Sequence, residues 1–146
     1  MSAVPANIAT SGTGTSAMST GATTSTADNV RALVSLVEQG RFLEAFEEFY
    51  AEDVTMQENA QPPVVGKPAA RRKEEQFVGA IRTLHESRAV SVLVTGDRAA
   101  IHWNAEYTFA DGSRMRFDQI AHQVWRDGRI VSERFFYDPA TLTQAA

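Results

Sequence analysis

The chain contains no cysteine among its 146 residues, so disulfide frameworks, thiol nucleophiles and thiolate metal sites are all excluded. Its three histidines, His85, His102 and His122, show none of the H-x-x-x-H or H-E-x-x-H spacings that place two ligands on one helix face, so a metal cofactor is not expected. No apolar run approaches the roughly 20 residues needed to span a bilayer. There is no excess of positive charge: 14 Lys and Arg stand against 18 Asp and Glu, for a net charge of -4. A basic footprint for nucleic acid or an anionic membrane is therefore missing. The Ser/Thr/Gly-rich N-terminus holds no Walker pattern, and no G-x-G-x-x-G follows a strand, which leaves nucleotide binding without support.

Charge is also absent locally. Residues 1–27 carry none, and Ser, Thr, Gly and Ala make up 21 of them. Such a stretch has too little large apolar surface to offset its ordering entropy. It is expected to be a disordered tail. It lacks the basic start and unbroken apolar core of a secretory signal, and the expected location is the cytoplasm.

The rest of the chain is patterned like one folded domain over residues 28–139, followed by a short tail over 140–146. Asp28 is placed to cap a first helix whose stripe is Val30, Leu33, Val34 and Val37, ended by Gly40. A second helix carries Phe42, Phe46, Phe49 and Tyr50 on one face. Asp53 to Glu58 reads as a short strand. Pro68 suits the first turn of a third helix, whose inner line is Ala70, Glu74, Phe77, Ile81 and Leu84.

Three turn signals then divide the second half: Gly96-Asp97, Asp111-Gly112 and Asp127-Gly128. The segments around them, roughly 86–95, 98–110, 113–126 and 129–138, are rich in β-branched and aromatic residues. A dozen-residue strand reaches roughly 40 Å, more than the roughly 35 Å breadth of a domain this size. The sheet must therefore curl. Helices first and a meander after predict an α+β fold, a curved antiparallel sheet wrapped around N-terminal helices, with a hollow suited to a small molecule.

Alternation assigns faces. Ile101, Trp103, Ala105, Tyr107 and Phe109 are expected inward. So are Met115, Phe117, Gln119, Ala121, Gln123 and Trp125, and then Val131, Glu133, Phe135 and Tyr137. A two-residue turn at Asp111-Gly112 would pair Trp103 with Ile120 and mismatch the faces, whereas a three-residue loop or a bulge restores the match. Arg116, Asp118, Glu106 and Arg134 fall on the outer face, where they could pair across a dimer contact or meet solvent. His102 and His122 share that face, at a surface or an interface.

Three carboxylates occupy positions where apolar side chains are expected: Glu58, Glu74 and Glu133. An acid in an apolar cleft has its pKa raised by desolvation, which suits general acid–base work. The same residues could instead pair with inward Gln, Tyr or Trp. Gln119 and Gln123 could orient a ligand or satisfy these acids. Trp103, Tyr107, Phe135 and Tyr137 would complete an aromatic, substrate-facing wall.

Four segments carry a resemblance: Phe49-Tyr50-Ala51-Glu52-Asp53-Val54, Gly66-Lys67-Pro68-Ala69-Ala70, Trp125-Arg126-Asp127-Gly128-Arg129-Ile130 and Phe136-Tyr137-Asp138. They resemble signposts of the NTF2-like superfamily, and within it the SnoaL-like domains, over roughly residues 28–139. The resemblance implies a cone-shaped fold, a homodimer through the convex sheet face (Ile120, Val124 and Phe136 here), and functions ranging from isomerase, polyketide cyclase and epoxide hydrolase to ligand binding alone. In the ketosteroid isomerase pattern the general base falls on Glu58 and a supporting helix position on Glu74. The oxyanion-hole tyrosine falls on Leu33 and the oxyanion-hole acid near Ala121, so two of its three parts are missing. The hydrolase aspartate falls near Phe135. The expected function is small-molecule binding, with isomerase- or cyclase-type proton transfer as the enzymatic form and a non-catalytic binding or dimerisation module as the alternative.

Overall fold

The computed structural model describes residues 24–144; most of the tail expected over 1–27 lies outside the described residues. Three helices precede the long strands. The first, α1 (Thr26–Glu38), starts earlier than the sequence predicts, because Ser25 rather than Asp28 is the N-cap: its side chain accepts from the Asp28 N–H. Val30 and Leu33 are buried on its inner stripe. Gly40 ends it at φ 77°, and a Cβ there would stand 2.9 Å from a Leu84 methyl, so both backbone and contact require glycine. Helix α2 (Phe42–Phe49) buries Ala45, Phe46 and Phe49. Tyr50, expected on that helix, instead opens strand β1 (Tyr50–Glu58).

After the two-residue strand β2 (Val64–Val65) comes α3 (Lys67–Ala80). Here the expected helix is too long. Ile81 and Leu84, assigned above to its stripe, belong to β3 (Ile81–Thr95) and pair with Phe109 and Tyr107 of β4 (Arg98–Phe109). Helix passes straight into strand with no punctuating turn, so apolar spacing alone could not show the boundary. The carbonyl of Ala80 is taken up by the Ala110 N–H at 2.8 Å, which supplies an acceptor's partner at the helix end.

The remaining strands are β5 (Arg114–Arg126) and β6 (Arg129–Phe136). The sheet order is β2-β1-β6-β5-β4-β3. Strands β3 to β6 form the expected antiparallel meander, while β1 joins β6 in parallel. The sheet is therefore mixed. Residues 143–144, expected in a tail, form a short strand β7 (Thr143–Gln144) beside β5.

The β4–β5 hairpin closes through a three-residue loop, Ala110–Gly112. The Phe109 N–H reaches the Ser113 carbonyl at 2.8 Å and the Gly112 N–H returns to Phe109 at 2.9 Å, with Gly112 at φ 87°. Trp103 consequently stands opposite Gln119 and Ile101 opposite Ala121, so the inward faces match. At the next turn Asp127 and Gly128 both have positive φ, as a tight two-residue hairpin requires. A bulge follows. Trp125 pairs with Ile130 but Val124 with Ser132, leaving Val131 as the extra residue. Ile130 is thus the fully buried side chain, not Val131. The parity shift sets Glu133 opposite Gln123. Further register shifts in β3 bend the long strands, and the helices cover the concave side: α1 packs on β3 and α3 on β1. No helix among the described residues is long and apolar enough to cross a membrane.

Candidate functional site

Two adjoining chambers lie between the helices and the concave sheet face. The inner one has a volume of about 120 Å3 and is walled by α1, α2, α3 and the middle of β4, β5 and β6. The outer one, about 150 Å3, opens between α3, β1 and the end of β6. Glu74, Phe77, Tyr107, Gln119 and Phe135 border both and form the waist between them.

Glu133 sits at the floor of the inner chamber and is 3 % exposed. The Tyr50 hydroxyl donates to one of its carboxylate oxygens. Gln123 Nε2 donates to the other at 2.6 Å. The Gln123 carbonyl in turn accepts from Trp125 Nε1 at 3.1 Å. Every polar atom in this chain of contacts is neutral apart from the acid itself. Burial therefore dominates and raises Glu133 to about 7, against the downward pull of the Tyr50 and Gln123 hydrogen bonds.

Glu74 projects from the middle of α3. Among the described residues it has no hydrogen bond and no ion pair. Its carboxyl is withdrawn from bulk water, and this desolvation raises it to about 7, with the nearby Glu133 charge adding to the effect, Lys73 opposing it and Glu58 reinforcing it slightly. Tyr107 is raised by burial and then by the Glu74 charge, so it stays a neutral O–H donor. Its ring is wedged edge-on against Phe77 (centroids 5.4 Å, 88°) and against Phe117 (5.6 Å, 62°). Neither the Tyr107 hydroxyl nor the Trp103 indole N–H has a protein partner among the described residues, yet no polar side-chain atom is sealed away unpaired. Both donors remain open to the cavity.

The other sequence-predicted residues divide between the chambers. Trp103 and Gln123 border the inner one, and Gln119 and Phe135 border both. Of the two glutamines, Gln123 is committed to Glu133 and Trp125, whereas Gln119 makes no side-chain hydrogen bond among the described residues. Glu58 and Tyr137 border the outer chamber only. Glu58 is at its mouth: its side chain is 35 % exposed and stands 3.5 Å from Lys73 Nζ. Burial, and then the Glu58 charge, raise Tyr137. Glu74 and Glu133 thus share the inner chamber, while Glu58 borders only the outer one, which Glu74 also lines.

Several lining residues escaped the sequence reading. Tyr50 was placed on a helix stripe, and only its new position at the start of β1 brings its hydroxyl to Glu133. Phe42 and Phe77 looked like plain core residues; their helical spacing pointed them at the sheet, but nothing indicated a void there. Lys67, 3 % exposed, serves the fold. It donates to the Glu47 carbonyl at 2.9 Å and lies 5.8 Å from the Phe46 ring centre, which gives the Gly66-Lys67 segment a structural reason. Among the described residues no cluster of three or more His, Asp or Glu could hold a metal.

On the convex face, Glu106 was expected outward but is 5 % exposed. The long arms of Arg114 (2.8 Å) and Arg116 (3.4 Å) cover it, so the outward charges pair within the chain. His102 pairs with Asp118 in the same way.

Comparison with known proteins places this geometry in a family. No curated protein is matched by the sequence. Among solved structures, a protein of Mesorhizobium loti described as a SnoaL-like polyketide cyclase superposes with a TM-score of 0.70 at 25 % identity, covering 78 % of this chain and 100 % of that one. A Pseudomonas putida protein described as a polyketide cyclase gives 0.68 at 19 % identity, over 84 % and 99 % of the two chains. A Mycobacterium tuberculosis protein described as an LEH-like epoxide hydrolase gives 0.65 at 14 % identity, over 78 % and 83 %. The SnoaL-like domain model matches residues 23–137, nearly the whole described chain, and the protein belongs to the SnoaL-like domain family.

Proposed function

We propose that the protein binds a small, largely apolar molecule in the two chambers and moves a proton on it, with Glu74 as the general base and acid. The observation that carries this reading is the inequality of the two acids that line the inner chamber. Glu133 is fixed by Tyr50 and Gln123, while Glu74, raised to about 7, has no protein partner among the described residues. A group that titrates near neutrality and faces a cavity is suited to taking and returning a proton. In the ionised form Glu74 would remove a proton from a carbon next to a carbonyl. Tyr107 O–H and Trp103 N–H could donate to the oxygen on which charge develops. Return of the proton from Glu74 to a second carbon would complete an isomerisation. Glu58, paired with Lys73 at the mouth, would influence entry rather than chemistry.

Hydrogen–deuterium exchange of enolisable ketones in D2O tests this reading. Glu74→Gln should lower exchange by at least about 100-fold, as expected for loss of a general base, while Glu58→Gln should change it by less than about threefold. Equal rates for wild type and Glu74→Gln would overturn the catalytic part. A binding-only role is favoured by the resemblance, in which the isomerase oxyanion-hole groups would fall on Leu33 and near Ala121. It predicts ligand-dependent stabilisation with no turnover.

The exposed pair Ile120 and Phe136, 46 % and 44 % exposed and opposite each other on β5 and β6, supports the homodimer expected through the convex face. Sedimentation of wild type against Ile120→Glu tests it.

A further inference from the structure

We infer that the ligand of the inner chamber carries a positively charged ammonium group, held between the Glu74 carboxylate and the aromatic walls. The inference deepens the functional reading above and rests on it only in requiring that the chamber bind a small molecule.

Three features of the lining lead there. First, the inner chamber has no lysine, arginine or histidine among its 16 lining residues, yet it holds two carboxyl groups. Second, seven of those residues are aromatic. Ring faces carry negative quadrupole density and attract cations, most strongly where water is excluded. Third, Glu74 has neither a hydrogen bond nor an ion pair among the described residues. Other acids find cations: Glu106 with two arginines, Asp53 with Arg126, Glu47 with Arg71 and Lys67. A cationic ligand would supply what those arginines supply on the surface, whereas a neutral ligand would leave the Glu74 anion without a counterion.

The charged and titratable groups facing Glu74 make the proposal pH-dependent in a definite direction. They are Glu133 on β6, Tyr50 and Glu58 on β1, Tyr107 on β4 and Lys73 on its own helix. Lys73 is the one cation among them, and it is engaged with Glu58 at the mouth. Desolvation and the neighbouring acids favour protonated Glu74; an ammonium ion in the chamber favours the ionised form. Binding of a cation must therefore expel a proton near neutral pH, and affinity must rise as pH increases through about 7.

Isothermal calorimetry on the full chain tests this with benzyltrimethylammonium, whose charge does not titrate, 2-phenylethylamine, and the neutral 2-phenylethanol. At about pH 8 both cations should bind at least about tenfold more tightly than the alcohol, the scale of a single well-placed charge interaction. The preference should shrink several-fold at about pH 5.5. Runs in two buffers of different ionisation enthalpy should show proton release with benzyltrimethylammonium and none with the alcohol. Glu74→Gln should abolish the preference and keep the alcohol affinity. If that variant does not fold, the buffer comparison on the wild type decides. Binding of the alcohol equal to or tighter than that of the cations, or cation binding without proton release, would overturn the inference and leave a neutral-ligand site standing. Failure of all three probes, together with failure of the ketone panel, would overturn both readings.

Discussion

Glu133 and Glu106 are almost equally hidden, at 3 % and 5 % exposure, yet their acidities move in opposite directions. Glu133, on the concave side, is raised to about 7 because burial prevails over two neutral donors. Glu106, on the convex side, feels desolvation as its largest single influence, but the hydrogen bonds and charges of Arg114 and Arg116 together outweigh it and lower its pKa. Burial alone therefore does not decide how a carboxyl behaves. What matters is whether its partners are cations reaching in from solvent or neutral groups fixed in the core. The two faces of one sheet use the same residue type for opposite ends.

The largest test of that contrast is removal of the concave acid. Glu133→Ala would strand the Tyr50 hydroxyl and one Gln123 N–H without their acceptor, at a cost of about 2–4 kcal/mol. Urea unfolding followed by tryptophan fluorescence should read it. A loss below about 1 kcal/mol would mean the network contributes little to the fold.

The next effect concerns pH. Glu74 and Glu133 are both raised from 4.5 to about 7, so the folded state holds protons more tightly than the unfolded chain. Their contribution to stability is complete below about pH 4.5 and is lost as pH rises through about 7. Each shift corresponds to about 3–4 kcal/mol, less where the pair is coupled. Melting temperature should fall between about pH 5.5 and pH 8, and Glu74→Gln should flatten that fall. A wild-type profile already flat over this range would remove the contrast between the faces.

The smallest effect is expected on the convex side. Glu106 has a lowered pKa, so its contribution is present above the unfolded value and disappears as pH falls. Glu106→Gln should weaken the protein modestly at neutral pH, and added salt should erase most of the difference, as for partly solvated ion pairs. Thermal melts of the variant and wild type in low and high salt check this.

Much of this was legible in the chain. The three Gly/Asp turns mark the hairpins, and the demand that inward faces match leaves a three-residue loop or a bulge at Asp111-Gly112, of which the structure has the loop Ala110–Gly112. Strict alternation also put Gln123 and Glu133 on one face, and helical spacing turned Glu74 toward the sheet. The illegible parts share a cause: each depends on a partner distant in sequence or on a local break in periodicity. Tyr50 could be read as helix until β1 was seen to begin there beside β6. Ile81 and Leu84 fit a helical stripe because no turn separates α3 from β3. Glu106 alternates outward, and only the arginines of the next strand hide it. That Glu58 would stand at the mouth beside Lys73, outside the chamber that holds Glu133, required the packing of α3 on β1.

The surplus residue at Val131 separates two quantities that a plain hairpin ties together. With the tight Asp127-Gly128 reversal and no surplus, Ser132 would stand across from Gln123 and the acid would point to the outside. The chain instead absorbs one amino acid as slack, so the direction of the carboxyl and the length of the hairpin can drift independently over evolution. Excising Val131 would keep Glu133 at its address while straightening the strand that carries it.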